Sequence, residues 1–226
     1  MRMEDLNWMD VEEYLRRDDR IMLVLGACEQ HGYLSLLTDA LIPQALADAA
    51  SQQTGVLVAP PLNFGVSPYF LTYPGTVSLR VSTFTAVVED IVRSLYGHGF
   101  RRMLLLNGHG GNSAVRTSLV EVANQLDGLK LSWYAWWQSH SVEEMAIRRG
   151  LKSYHAGWIE AFPFTRVTEL PEGEKQPVSP KGILNAAETR AAYGDGVFGG
   201  PYQQPDEIMT ELFATALQDI LYLLEF

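Results

Sequence analysis

The chain reads as an α/β protein: a single domain over residues 1–226, built as a three-layer αβα sandwich around a mostly parallel sheet. Three observations predict this. Ile21-Met22-Leu23-Val24-Leu25 and Leu104-Leu105-Leu106 are short continuous apolar runs, the pattern of strands buried on both faces of a parallel sheet. Both runs break into glycine-containing polar stretches, Gly26-Ala27-Cys28-Glu29-Gln30-His31-Gly32 and Asn107-Gly108-His109-Gly110-Gly111-Asn112. Between and beyond them, strand-like runs alternate with amphipathic segments, the order that lays helices on both faces of one sheet.

Taken in order, Asp10-Val11-Glu12-Glu13 is a variant capping box and predicts a helix over 11–17. The first strand is 21–25. Residues 40–53, rich in alanine, predict a helix after a loop carrying Asp39. Pro43 then belongs in the first turn or at the start, where its missing N–H does no harm. Val56-Leu57-Val58-Ala59 is a strand stopped by Pro60-Pro61. Residues 62–75 mix Gly, Pro, Asn and Ser with aromatics, and read either as a loop lining a site or as a surface loop over a small satellite core.

Val77, Leu79 and Val81 alternate with polar residues and predict a strand. Ser82 is a cap for a helix over 83–97, with Val87, Val88, Ile91 and Leu95 inward and Gly97 just past its end. A strand at 102–106 leads into the His109 loop, and Asn112 or Ser113 starts a helix carrying Val115, Leu119, Val120 and Ala123. Leu129 to Trp137 is a further strand. Ser141-Val142-Glu143-Glu144 is a second capping box, for a short helix ended by Gly150. Residues 168–182, with Pro171, Pro177 and Pro180, form a loop that covers a site or packs on a neighbouring subunit. The last helix, 206–224, has an apolar stripe at Ile208, Met209, Leu212, Phe213, Ala216, Leu217, Ile220 and Leu221.

Composition narrows the function. Apolar residues are 47% and charged residues 19% of the chain, as in soluble globular proteins. A net charge of -10 argues against nucleic acid, which needs a basic footprint. A single cysteine excludes an internal disulfide and fits a reducing compartment. Met1-Arg2-Met3-Glu4-Asp5 lacks the apolar segment of a signal peptide, and no apolar run approaches the ~18 residues of a membrane span. The expectation is a cytoplasmic protein with no membrane partner.

If the strands ending at 25 and 106 are parallel, their polar endings share the carboxyl edge of the sheet, where open α/β sheets bind ligands. Glu29 and His31, two apart, point to one side of an extended segment. Asp39 follows after a short loop and His109 comes from the second ending. This mixed oxygen and nitrogen donor set suits zinc, manganese or iron. Plainer readings stand beside it: Glu29 and Asp39 as helix caps, and Gly108–Gly111 as a turn with an incidental histidine. That turn lacks the Lys-Ser/Thr of a phosphate loop. His98 reads as a helix C-terminal residue and His140 as solvated. Cys28 reads as a small packed residue, since a nucleophilic cysteine needs a histidine base. Trp133, Trp136 and Trp137 read as core, with room for one at a pocket edge.

Glu29-Gln30-His31-Gly32, Thr38-Asp39 and Asn107-Gly108-His109-Gly110-Gly111-Asn112 together resemble the creatininase family of metal-dependent amidohydrolases. Tyr73-Pro74-Gly75-Thr76 is similar to its F-P-G-T segment, and His155-Ala156-Gly157-Trp158-Ile159-Glu160 to its H-A-G-x-x-E segment. Gly196-Val197-Phe198-Gly199-Gly200-Pro201 resembles G-V-x-G-D-P, with Gly200 where Asp is usual. The matches run in order through nearly the whole chain. The resemblance implies two divalent metals (zinc, manganese or iron), with Asp39 bridging, Glu29 and His109 on one and His31 and Glu160 on the other. It implies that a metal-activated water attacks the amide carbon of a small molecule and so breaks its C–N bond, with Glu160 in the catalytic centre. His155 is then the general acid to the leaving nitrogen or an oxyanion partner. A role for Glu160 in orienting His155 stays open. The resemblance also implies a homo-oligomer, a hexamer built as a trimer of dimers.

The chain departs from the family pattern in further places. The stretch between His31 and Asp39 is one residue shorter than E-Q-H-G-P-H-L-P-x-x-T-D and lacks its Pro-His. Phe70 stands where a histidine is common. Gly111 stands where creatinine-specific members carry a glutamate, which disfavours creatinine as substrate. Three readings follow: an amidohydrolase of a small cyclic or linear amide; a formamide hydrolase or peptide-trimming metallopeptidase of cofactor biosynthesis; and a non-catalytic member that keeps the site for metal or metabolite binding.

Overall fold

Two apolar strands lie side by side at the centre of the molecule, in a computed structural model that describes residues 1–226. β1 (Arg20–Leu25) and β3 (Arg102–Asn107) pair in parallel, with Ile21 opposite Met103 and Leu25 opposite Asn107. β2 (Leu57–Val58) adds to the free edge of β1, and β4 (Lys130–Ala135) to that of β3, both parallel. The strand order is β2-β1-β3-β4. The chain therefore leaves β1 to one side and then crosses to the other, so a topological switch point opens between β1 and β3.

The pleat divides each central strand between two cores. Met22, Val24, Leu104 and Leu106 face a cluster shared with Ile42 and Leu46 of α2 (Thr38–Thr54), Val142 and Met145 of α5 (His140–Arg148), and Leu212 and Ile220 of α7 (Asp206–Leu223). Ile21, Leu23, Leu25, Met103 and Leu105 face the other, shared with Tyr14 of α1 (Trp8–Leu15), Phe84 and Val88 of α3 (Val81–His98), and Leu119 and Val122 of α4 (Arg116–Gln125). Burial on both faces is why these strands carry unbroken apolar runs. The expected three-layer α/β architecture is the observed one.

Several expected boundaries move. α1 begins earlier because the capping box is Asn7 with Asp10, which puts Asp10 at the third helical position rather than at the cap. α2 begins at Thr38, so Asp39 sits in its first turn and not in a preceding loop. Pro43 lies inside the helix. It offers no N–H to the carbonyl of Asp39, and Gly108 packs there: a Cβ at 108 would meet Asp39 O at 1.8 Å. Val77, Leu79 and Val81 form no strand. Val77 makes one isolated bridge with Cys28, and Val81 opens α3. Ser82 is not its cap, and Gly99, at φ 114, ends the helix in place of Gly97. Asn112 and Ser113 lie in a 3-10 turn before α4. Ser139, not Ser141, caps α5 by accepting from Val142 N.

Residues 168–182 form the expected loop, with one short strand inside it. β5 (Glu174–Lys175) pairs antiparallel with β6 (Gly200–Pro201). α6 (Ala186–Tyr193), capped by Asn185 with Glu188, was not among the expected elements. No helix is long and apolar enough to cross a membrane.

Candidate metal centre

Glu29 and His31 lie in the segment after β1, and Asp39 in the turn of α2 into which that segment runs. His109 follows the neighbouring β3, and Glu160 ends a 3-10 turn, Trp158–Glu160. All five are buried. Their ligand-capable atoms form two groups, Glu29 with Asp39 and His109, and His31 with Asp39 and Glu160, the atoms within each lying within 4.8 Å of one another. Asp39 belongs to both. A third group joins Glu29 and His31 to His155. The switch point thus gathers every residue that the sequence put forward as a ligand, together with His155.

Each imidazole is aimed by a main-chain carbonyl. His31 Nδ1 lies 3.1 Å from Glu29 O, and His109 Nε2 lies 2.8 Å from Val66 O. Donation to those carbonyls places the proton outward and turns the other ring nitrogen inward. His31 Nε2 is then 3.0 Å from Asp39 Oδ1 and 3.8 Å from Glu160 Oε1. His109 Nδ1 is 2.9 Å from Asp39 Oδ2 and 3.4 Å from Glu29 Oε1. Glu29 Oε2, His31 Nε2 and Asp39 Oδ2 are nonetheless buried without a hydrogen-bond partner. Buried polar atoms left in this way are costly, and converging lone pairs are reconciled by a cation. The donor set, two imidazoles and three carboxylates, fits a divalent metal.

The same field acts on protons. Burial opposes charge on His31, but Asp39 and Glu160 override it and raise its pKa well above the ordinary value. His109 is raised in the same way, by Glu29 and Asp39 against burial. Asp39, although buried, is held below the usual carboxylate range by His31 and His109.

His155 differs. Burial and the neighbouring His31 push its pKa down to about 4. Its ring stacks on Phe70, centroids 4.9 Å apart and 9° from parallel, and meets Phe198 at 4.8 Å. Its Nε2 lies 3.0 Å from Gln30 Nε2. Two backbone contacts fix the orientation of that amide: Gly32 N donates to Gln30 Oε1 at 3.0 Å, and Gln30 Nε2 donates to Gly196 O at 3.1 Å. The second Gln30 N–H faces His155, whose Nε2 is therefore an acceptor, leaving the single ring proton on Nδ1. Gln30 was visible in the sequence, but without a role.

The turn before Glu160 is strained. Ala156, not the glycine beside it at 157, carries positive φ, at 57°. That conformation costs about 1–2 kcal/mol for a non-glycine residue, and it points Ala156 N at Glu160 Oε2, 2.6 Å away. Glu160 Oε1 is left to face His31. At Gly111 the constraint is space: a Cβ would lie 1.9 Å from Val66 O and 2.7 Å from His109 Nε2. Asn112 binds the same loops together, accepting from Val66 N at 3.2 Å and donating to Gly26 O at 3.0 Å.

A cavity of about 610 Å³ opens above the cluster, lined by Glu29, Asp39, His109, His155 and Glu160 below and by residues of the 66–70 and 180–184 loops around it. Trp137 is the tryptophan at its edge. His98 and His140 are exposed, on α3 and α5, outside the site. Cys28 donates its thiol to Gly75 O at 3.4 Å, and burial with Glu29 nearby pushes its pKa up.

A carboxylate and histidine cluster at the switch point of a parallel sheet defines a metal-binding α/β protein. Comparison with known proteins gives the family. The creatininase family model, described as creatinine amidohydrolase, matches residues 4–224, and the chain belongs to the creatininase family. It is 36% identical to a creatinine amidohydrolase of Pseudomonas putida over 126 residues, 53% of this chain and 48% of that protein. It is 27% identical to a 3-dehydro-scyllo-inosose hydrolase of Thermotoga maritima over 173 residues, 74% and 52% of the two chains. It is 31% identical to a mycofactocin precursor peptide peptidase of Mycolicibacterium smegmatis over 120 residues, 50% and 48%. The chain spans about half the length of the curated relatives it matches. Among solved structures, a creatininase point mutant superposes with a TM-score of 0.84 at 23% identity, covering 98% of this chain and 96% of the other. A manganese creatininase and a Zn-Zn type creatininase mutant superpose at 0.78 and 0.79, each 23% identical and covering 98% of this chain, with 96% and 95% of their own covered. These superpositions establish the shared fold.

Proposed function

We propose that the chain is a metal-dependent amidohydrolase that cleaves a C–N bond of a small-molecule amide at a dinuclear centre. The observation that carries this reading is Asp39, common to the Glu29–His109 group and the His31–Glu160 group. A single carboxylate between two such groups is what a bridging ligand requires. Glu29 and His109 would hold one ion, His31 and Glu160 the other, with Asp39 between. The manganese and Zn-Zn creatininase structures support manganese or zinc. A divalent metal, when bound, polarises the carbonyl oxygen and lowers the pKa of water toward ~7.

The residues around that centre do the rest. His155, neutral with its proton on Nδ1, serves better as a hydrogen-bond donor to developing oxyanion charge than as a general acid. Glu160, pinned by Ala156 N, keeps its orientation as charge moves. Phe70 and Phe198 pack on the His155 ring and hold its orientation. The relatives are named for creatinine, 3-dehydro-scyllo-inosose and a mycofactocin precursor peptide, so the family name does not choose a substrate. Gly111 argues against creatinine, because Val66 O fills the space a side chain there would need. We further propose a cytoplasmic homo-oligomer, a trimer of dimers.

Replacement of His109 by alanine tests the centre. Elemental analysis should show loss of at least one metal equivalent and abolished turnover. Two full equivalents in His109→Ala would refute the ligand assignment, and one equivalent in the unaltered protein would refute the dinuclear reading.

A further inference from the structure

The cavity walls differ in chemistry from its floor. The floor holds Glu29, Asp39, Glu160, His109 and His155, while no lysine or arginine lines any part of the cavity. Lys181 belongs to the 180–184 roof segment but is exposed and is not among the residues lining the cavity. Arg190 is turned aside, its guanidinium over the Tyr73 ring at 5.4 Å and donating to Thr72 O. One wall is a continuous aromatic array. Phe70 stacks on His155, Phe198 meets both at 6.0 and 4.8 Å, and Tyr193 stacks on Phe198 with centroids 3.8 Å apart and 9° from parallel. The 180–184 loop, the roof, adds aliphatic groups to the lining: Pro180, Ile183 and Leu184. A pocket lined by aromatic rings and aliphatic groups, with no lysine or arginine, selects by shape and by absence of charge. An anionic flank would meet no counter-charge on the walls, in a protein of net charge -10, and the floor carboxylates are reserved for metal.

We propose that the substrate is an uncharged amide bearing a planar apolar group, held between the Phe70–Phe198–Tyr193 wall and the 180–184 roof. This rests on the amidohydrolase reading for where the amide points; the wall chemistry stands without it. The volume of about 610 Å³ is in the range of sites for drug-sized ligands, roughly 300–1,000 Å³, and so leaves room for a ring beside the amide.

Three probes test it by equilibrium calorimetry on the chain as isolated: acetamide, benzamide and 4-carboxybenzamide. All three keep the amide head, so the differences report the flank. Benzamide should bind at least about tenfold more tightly than acetamide, from burying a ring between apolar walls, and about tenfold more tightly than 4-carboxybenzamide. Tyr193→Ala should remove most of the benzamide preference. Ile183 is 91% exposed, so Ile183→Lys leaves the core intact; it should narrow the gap between benzamide and its carboxylated analogue several-fold. Equal binding of acetamide and benzamide, or tighter binding of 4-carboxybenzamide, would overturn the proposal. Ammonia release, assayed separately, distinguishes the two readings. The binding order without ammonia release refutes hydrolysis and leaves the ligand class standing; ammonia release with the order reversed refutes the ligand class alone.

Discussion

Gln30 shows what one uncharged side chain contributes to a charged site. Its amide bridges three partners, Gly32 N, Gly196 O and His155 Nε2, and so ties the Glu29–His31 segment to the 193–198 loop while fixing a tautomer. Gln30→Glu exchanges the N–H donor for a negative acceptor beside His155. Metal content should stay unchanged. The kcat profile, to which His155 adds no titration near neutrality while it is held near 4, should gain a second titration closer to the ordinary imidazole value of ~6.5. A residue that merely packs would lower stability and leave that profile alone. His155→Ala should keep its metal and lose about 10²–10³ in kcat, the worth of one oxyanion donor. Metal loss in proportion to activity would make His155 a ligand instead. Gly111→Ala is a steric counterpart. With Val66 O at 1.9 Å from the new carbon, the loop must shift, at about 1–3 kcal/mol. Thermal unfolding and metal analysis should both register it, because Val66 O also orients His109.

At the scale of elements, the roof is a separable unit. α6 contacts the 66–73 segment through Thr72, whose hydroxyl donates to Ala186 O at 2.8 Å, and through Arg190, which donates to Thr72 O. Its start depends on the Asn185–Glu188 capping box. Asn185→Ala should cost about 1 kcal/mol, felt locally: faster amide exchange in α6 and a raised KM, with little change in the global melting temperature. A global shift without a KM effect would place α6 in the core instead. This element escaped the sequence reading because Ala186–Tyr193 buries only Thr189, so no apolar stripe announces it. β1, β3 and α7 were legible for the opposite reason: each buries a face, and burial writes the period into the sequence. The Val77–Val81 alternation misled because three apolar residues found no strand to pair with beyond one bridge at Cys28. The candidate ligand residues were legible as candidates, being polar types set at strand endings, and the fold brings them together. Their supports were not. The carbonyls of Glu29, Val66 and Gly196, which aim His31, His109 and Gln30, carry no residue identity at all.

The whole molecule feels the site through its protons. Without metal, His31 and His109 have pKa values raised above the unfolded value of ~6.5. The stability they contribute is complete below ~6.5 and is lost as pH rises through their folded values. His155 works in the other direction. Held near 4 in the fold, it leaves the unfolded chain binding the extra proton between about 4 and ~6.5, so stability rises with pH across that window. Asp39, held below the usual carboxylate range, adds stability above ~3.9 that is lost in acid. The metal-free protein should therefore be most stable near pH ~6.5 and melt at lower temperature on either side. Metal ligation requires the two imidazoles without their inner protons, so apparent affinity should climb with pH and binding should release protons. The metal-loaded protein should then keep its stability above ~6.5 where the metal-free protein loses it. Melting curves from pH 5 to 9, with chelator and with added manganese or zinc, should diverge as pH rises. Calorimetry in buffers of different ionisation enthalpy should count the protons displaced. Parallel melting curves, or binding that releases no protons, would show that His31 and His109 do not both turn their inner nitrogens to the metal.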